Sequence, residues 1–188
     1  MIETPYWWET VSFPEGEAEP PAGSVDVAVI GSGITGLCAA LELARRGSRV
    51  ALFEAHTLGW GASSRNGGQV LTGLHLGPDV LHKRYGPDLA RRLFAASLTA
   101  IDLVEQLIED EGIACDFERA GHLKVAARSS HFPGFIEAAA DLERVVGHQV
   151  RLLTREQLEG EVGARAYFGG MLDEASATIN PAQYTAGL

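Results

Sequence analysis

The sequence has few cysteines, few cations and no long hydrophobic run, and each scarcity excludes a class of protein. Two cysteines, Cys38 and Cys115, are too few for a disulfide framework and match no metal-ligand spacing. The 15 Lys+Arg against 25 Asp+Glu give a net charge of −10. This charge argues against a nucleic-acid binder, because neutralising phosphates requires clustered cations. No apolar stretch reaches the roughly 18 residues of a transmembrane helix, so we expect no membrane association.

We expect no secretory leader, since residues 1–5 contain neither a basic segment nor an apolar one. With so few cysteines, this predicts a cytoplasmic protein. The composition, 46% hydrophobic and 21% charged, is ordinary for a globular chain. A length of 188 residues fits one domain or slightly more.

The negative charge is concentrated at the N-terminus. Residues 1–24 contain five glutamates, four of the eight prolines, and no Lys or Arg, which predicts an extended arm. Three adjacent aromatic residues, Tyr6, Trp7 and Trp8, would be costly to leave in water. We therefore expect the arm to lie on a surface of the folded body, either by simple packing or as a lid or partner contact.

A strand, a helix and a second strand are predicted after the arm. Residues 25–30 are rich in β-branched side chains and end at a glycine, which indicates a strand. Residues 34–46 have apolar side chains at helical spacing, and Gly47 follows as a stop signal. Residues 49–54 predict the second strand. Because a helix connects them, the two strands should be parallel.

The rest of the chain alternates between helical and strand patterns. We expect a glycine-rich loop over residues 57–78. Thr154 and Gln157 have the spacing of a capping box that begins a short helix. The other predicted elements are helices over 88–111 and 134–146, strands over 123–126, 150–153 and 167–172, and a first helical turn at 181–184.

The strongest motif is the glycine pattern of residues 31–36, between the first predicted strand and helix. Gly31 permits a tight turn, Gly33 lets the backbone approach a pyrophosphate, and Gly36 lets the helix pack closely on the strands. The helix N-terminus then faces the phosphates. Glu54 ends the second strand, where it can accept hydrogen bonds from the adenosine ribose and repel the 2′-phosphate of NADP.

A second glycine-rich segment, residues 59–69, favours FAD over NAD. Its glycines and hydroxyl residues can expose backbone N–H groups to an anion, and Arg65 can neutralise a phosphate or a reduced flavin. An NAD-linked dehydrogenase has no general need for this second cradle, whereas a flavin must be held far from the adenosine ribose. An NAD-linked dehydrogenase, a flavin enzyme of another substrate class, and a noncatalytic dinucleotide-binding subunit that needs a partner chain stay open as alternatives.

Residues 29–37, 52–55 and 61–69 resemble the D-amino-acid oxidase / glycine oxidase (DAO) family of FAD-dependent oxidoreductases. The gamma-glutamylputrescine oxidoreductase-like branch is the most similar one. The resemblance continues more weakly through residues 120–125 and 177–181.

This resemblance implies an α/β fold: a Rossmann-like FAD-binding βαβ unit with part of an α+β substrate domain. The implied division is an arm at 1–24, the FAD-binding unit with its loop at 25–78, and a substrate-domain part at 79–188. Family members are considerably longer than this chain. The resemblance therefore implies an N-terminal fragment, incomplete at its C-terminus, that binds FAD poorly on its own and aggregates.

The resemblance also implies oxidation of a C–N bond in a small amine or amino acid. Hydride passes to flavin N5, and water hydrolyses the resulting imine. No metal site and no catalytic residue are predicted from the sequence. The implied cofactor-binding residues are Gly31, Gly33, Ile34, Thr35, Gly36, Glu54, Ala55, Ala62, Ser63, Ser64, Arg65, Asn66, Gly67, Gly68 and Gln69.

Overall fold

A computed structural model describes residues 4–16 and 22–188, and the chain divides into two compact units. Unit 1 comprises Met1–Gln69, Glu105–Phe117 and Ile179–Leu188. Unit 2 comprises Val70–Val104 and Glu118–Thr178. The division into an arm, an FAD-binding unit and a substrate-domain part, with boundaries after residues 24 and 78, stays a prediction.

Unit 1 contains the predicted βαβ unit. Strands β1 (Val27–Ile30) and β2 (Val50–Phe53) pair in parallel along their whole length. Helix α1 (Ile34–Arg45) connects them, and Gly47 ends it with a φ of 86°, a conformation that glycine adopts without steric cost. The strand–helix–strand prediction and the parallel pairing are confirmed.

The N-terminal arm forms a short 3₁₀ helix, Tyr6–Thr10, where the sequence predicted extended chain. Two hydrogen bonds stabilise this turn: the Trp8 N–H donates to the Pro5 carbonyl at 3.0 Å, and the Thr10 hydroxyl donates to the Trp7 carbonyl at 2.7 Å. The arm prediction also rested on residues outside the described part of the chain. These are Glu3, Glu17, Glu19, Pro20 and Pro21.

Helix α5 (Pro181–Gly187) completes unit 1. Its N-cap is Asn180, whose side-chain oxygen accepts hydrogen bonds from the Ala182 and Gln183 N–H groups at 3.2 and 3.1 Å. The buried face of α5 includes Tyr184. The helical turn predicted at residues 181–184 is confirmed.

Unit 2 contains an antiparallel sheet of three strands, β4 (His122–Val125), β5 (Arg151–Leu153) and β6 (Gly170–Asp173), in the order β4-β6-β5. Helix α3 (Phe132–Val146) packs against β5 and β6. The capping box at Thr154 and Gln157 begins helix α4 (Arg155–Val162), as predicted. Two short strands, β3 (Gln69–Val70) and β7 (Ala177–Thr178), pair with each other.

Helix α2 (Pro78–Glu111) begins well before the predicted start at residue 88. It is broken at Gly86, which has φ 79° and ψ 168°. Pro87 causes this break, because proline has no N–H to donate and disfavours helical backbone in the residue before it. The sequence pattern therefore identified only the part of α2 that follows the break.

Candidate functional site

The turn between β1 and α1 forms a backbone cradle. Gly31 has a φ of 97°, which residues with a side chain rarely adopt. A Cβ atom on Gly36 would collide with the Gly31 carbonyl oxygen and would lie 3.4 Å from Val29. Neither glycine can therefore accept a side chain without a backbone shift.

The first turn of α1 meets the second glycine-rich segment. Gly33 is the N-cap of α1 and provides no side-chain cap. The Ile34 N–H donates to the Ser63 hydroxyl oxygen at 3.0 Å, and a Cβ atom on Gly33 would lie 3.1 Å from that same oxygen. Because the first turn of a helix has no intrahelical acceptors, the Thr35 and Gly36 N–H groups are available to an anion.

Glu54 is held next to this cradle by Ser32. Its Oε2 atom accepts the Ser32 N–H at 2.9 Å and the Ser32 hydroxyl at 2.7 Å, and its Oε1 atom accepts the His56 N–H at 3.1 Å. These hydrogen bonds, the Ser32 N–H foremost, lower the pKa of Glu54 to about 2. Glu54 is therefore an ionised acceptor. Its Oε2 atom already accepts two hydrogen bonds, whereas its Oε1 atom accepts one and has a second lone pair for a donor such as a ribose hydroxyl.

Ser32 is a site residue that the sequence reasoning missed. It is fully buried, and its Oγ atom also accepts the Gly59 N–H at 3.0 Å. Ser32 thus connects Glu54 to the beginning of the second glycine-rich segment. The sequence signal that could have identified it is a serine inside the glycine motif, together with a glutamate at the end of the second strand.

The second glycine-rich segment is folded on itself. Residues Ala62–Ser64 form a single 3₁₀ turn, and the Asn66 amide donates to the carbonyls of Ala62 and Ser63 at 3.2 and 2.9 Å. The Asn66 side-chain oxygen accepts the Gly68 N–H at 2.8 Å. Gly68 has a φ of 71°, and a Cβ atom there would collide with the Ile179 carbonyl oxygen.

Ser64 and Arg65 contact the N-terminal arm. The buried Ser64 hydroxyl accepts the indole N–H of Trp8 at 2.8 Å and donates to the Gly59 carbonyl. The Arg65 guanidinium lies between the rings of Trp8 and Trp60, 4.6 and 4.5 Å from their centres. The arm therefore lies on the folded body, as its aromatic residues predicted.

Every cofactor-binding residue predicted from the sequence belongs to unit 1. The structure brings the glycine turn, Glu54 and Ser63 together at the beginning of α1. Ala55, Gly67 and Gln69 are exposed. The predicted cofactor-binding residues thus form two groups: the glycine turn with Glu54, and the second glycine-rich segment beside it.

Unit 2 has a cavity of about 480 Å³ lined by residues 71–79, α3 and the sheet. At its edge, the Asp173 carboxylate accepts the Thr72 hydroxyl at 2.5 Å and lies 3.0 Å from the His148 ring nitrogen. Burial is the largest cause that lowers the pKa of His122, another lining residue. The sequence reasoning assigned none of these contacts.

The site in unit 1 is typical of a dinucleotide-binding protein, because a glycine turn, the available Thr35 and Gly36 N–H groups of a helix N-terminus and a strand-end carboxylate converge there. Within residues 4–16 and 22–188, no cluster of His, Cys, Asp and Glu is suited to a metal ion. In that same part of the chain, no helix is long and apolar enough to cross a membrane.

Residues 26–188 match the model of the DAO family, described as FAD dependent oxidoreductase, and the chain belongs to this family. The cofactor of this family is FAD. The residues of unit 1 fit this group, since the cradle consists of glycines whose Cβ atoms would occupy the space around the helix N-terminus.

The chain is similar to curated relatives over most of its own length. It is 37% identical to a probable oxidoreductase OrdL of Haemophilus influenzae over 164 residues, which are 87% of this chain and 38% of the relative. It is 36% identical to gamma-glutamylputrescine oxidoreductase of Escherichia coli, with 86% of this chain and 38% of the relative covered. The chain thus spans about two fifths of the length of these relatives.

Solved structures show the same fold. Glycine oxidase from Geobacillus kaustophilus aligns with a TM-score of 0.70 at 25% identity, covering 87% of this chain and 42% of that one. The L-amino acid deaminase from Proteus myxofaciens aligns with a TM-score of 0.71 at 21% identity, covering 94% and 38%. The α/β fold class expected from the sequence is confirmed.

Proposed function

We propose that this chain supplies the FAD-binding part of an oxidoreductase that oxidises the C–N bond of a small amine or amino acid. The observation that carries the proposal is the hydrogen bond from the Ile34 N–H to the Ser63 hydroxyl. This bond brings the second glycine-rich segment onto the helix end that faces the cofactor phosphates. The names of two relatives, glycine oxidase and gamma-glutamylputrescine oxidoreductase, support the substrate class.

The residues of unit 1 divide the binding of FAD among them. The turn at Gly31–Gly36, with the Thr35 and Gly36 N–H groups, binds the pyrophosphate, while Glu54 accepts the adenosine ribose hydroxyls. Residues 62–69 hold the part of FAD beyond the pyrophosphate, and Arg65 supplies a positive charge there. Bound FAD would accept a hydride from the carbon that carries the nitrogen, the nitrogen would lose a proton to give an imine, and water would hydrolyse that imine.

The visible absorption of the purified protein tests this proposal. After incubation with FAD and gel filtration, flavin bands at one FAD per chain would support the proposal and overturn the expectation that these 188 residues bind FAD poorly on their own. Gly33→Val should abolish this retention, because its side chain occupies the phosphate approach and pushes against Ser63. Gly16→Val is the matched control, since a Cβ atom on Gly16 meets nothing within 4 Å.

A second measurement separates this function from the alternatives. With FAD bound to a chain extended to the length of its relatives, addition of glycine or gamma-glutamylputrescine in the absence of oxygen should bleach the flavin bands. Retention of NAD in place of FAD would contradict the proposal in favour of an NAD-linked dehydrogenase. Flavin that no amine or amino acid reduces would contradict the proposed chemistry. The cytoplasmic location and the reading as an N-terminal fragment stay predictions from the sequence.

A further inference from the structure

The N-terminal arm directs two indole N–H groups at the second glycine-rich segment. The Trp7 indole donates to the Asn66 carbonyl at 2.9 Å, and the Trp8 indole donates to the Ser64 hydroxyl at 2.8 Å. An indole has a single donor, and both are used on this one segment. The arm therefore fixes three consecutive residues that follow the Ser63 contact with α1.

Trp8 also fixes the orientation of the Arg65 side chain. The guanidinium lies between the Trp8 and Trp60 rings, and its Nε–H donates to the Trp60 carbonyl at 2.6 Å. A guanidinium stacked between two rings has lost much of the rotamer freedom of a long side chain. Arg65 itself remains exposed, so its terminal amino groups are accessible to a ligand.

Contacts of Thr10 with the beginning of α5 also hold the arm in place. The Thr10 hydroxyl oxygen accepts the Asn180 amide at 2.9 Å, and the Thr10 carbonyl accepts the Gln183 amide at 3.2 Å. The Phe13 ring packs edge-on against Trp8 with ring centres 5.7 Å apart. The arm thus bridges α5 and the segment at residues 59–66.

We propose that Trp8 is a positioning residue for FAD. By holding Ser64 and stacking on Arg65, it presents the guanidinium as a fixed cation to the part of FAD beyond its AMP half. This inference rests on the proposed function. It goes further by assigning a role in cofactor binding to an arm that lies outside the glycine motifs.

Paired affinities for FAD and AMP test the inference, because AMP reaches only the Glu54 side of the site. FAD affinity follows from quenching of flavin fluorescence, and AMP affinity from calorimetry. We expect Trp8→Ala to weaken FAD binding about tenfold and to leave the AMP affinity unchanged. Trp8→Phe keeps a ring over Arg65 but loses the indole donor, so its FAD affinity should be intermediate.

Tyr6→Ala is the matched control, since Tyr6 lies on the same turn, is 71% exposed and packs edge-on against the Trp7 ring. Its FAD affinity should equal that of the wild type. Equal losses of FAD and AMP affinity in Trp8→Ala would show a merely structural arm and overturn the inference. Unchanged FAD affinity in Trp8→Ala would overturn it as well.

Two further outcomes keep the test decisive. If Trp8→Ala does not fold, the comparison of Trp8→Phe with the wild type decides, and equal FAD affinities overturn the inference. A wild-type protein that binds AMP but no FAD would overturn the proposed function itself.

Discussion

Gly36→Ala should destabilise the protein through a single added methyl group. Gly36 is the third residue of α1, and its Cβ position overlaps the Gly31 carbonyl oxygen. That oxygen belongs to the backbone of the glycine turn, so it cannot rotate away as a side chain would. Either α1 or the turn must shift to accept the methyl group.

The magnitude follows from comparison with Gly134, which is the third residue of α3 and has nothing within 4 Å of its Cβ position. Alanine is favoured over glycine by up to about 1 kcal/mol in a helix, and this gain applies at both sites. Only Gly36 adds a steric overlap, which typically costs about 1–3 kcal/mol. The difference between the two variants in the free energy of unfolding should therefore be about 1–3 kcal/mol, with Gly36→Ala the less stable.

Urea unfolding followed by circular dichroism measures this difference. Gly134→Ala should unfold at or above the wild-type midpoint, and Gly36→Ala clearly below it with an unchanged slope. FAD retention should also fall in Gly36→Ala, because the shifted turn is the proposed binding site of the FAD pyrophosphate. Equal midpoints for the two alanine variants, with full FAD retention, would refute the close approach of α1 to the turn.

Two other predictions concern carboxylates. The pKa of Glu54 in the folded state, about 2, lies below the ordinary value of 4.5. The ionised carboxylate therefore stabilises the folded protein above about pH 4.5, and this stabilisation is lost as the pH falls toward 2. The difference in urea midpoint between wild type and Glu54→Gln should therefore shrink over that range, and a pH-independent difference would contradict the hydrogen bonding described. Asp173→Ala should cost about 2 kcal/mol in the free energy of unfolding, because it leaves His148 and Thr72 without their partner. The neighbouring Glu174→Ala, which removes only an exposed pair with an arginine, should cost far less, and equal losses would contradict the buried network.

Patterns within short stretches of the sequence correctly predicted the helices and strands whose ends depend on neighbouring residues. The βαβ unit follows from hydrophobic spacing and from Gly47, and the start of α4 follows from the Thr154–Gln157 capping box. The helix predicted over residues 88–111 matches the part of α2 that follows the break at Gly86. The part before the break was missed, because Pro87 ends one helical segment and begins another. The prediction of an extended arm was wrong at Tyr6–Thr10, which forms a 3₁₀ helix. This turn depends on side-chain contacts as well as on proline content.

The candidate site was predictable in its glycines and its acid, because their spacing along the chain defines the motif. The contacts of Ser32 and Trp8 were not predictable in the same way. Ser32 meets Glu54 across 22 positions of sequence, and Trp8 meets Ser64 across 56. Such pairs become neighbours only after α1 and the second segment have folded, and no spacing rule encodes them.

The hydroxyl of Ser32 has a consequence for any redesign of coenzyme preference. It donates to Glu54 and accepts from Gly59, so one atom joins the acid proposed to bind the ribose to the segment proposed to hold the rest of the cofactor. Replacing Glu54 to admit a 2′-phosphate would remove the acceptor that orients this hydroxyl. A change at residue 54 would therefore require a matching change at residue 32 and at its contact with the Gly59 backbone. The reason is that the Ser32 hydroxyl oxygen is bonded both to the Glu54 carboxylate and to the loop that begins at Gly59.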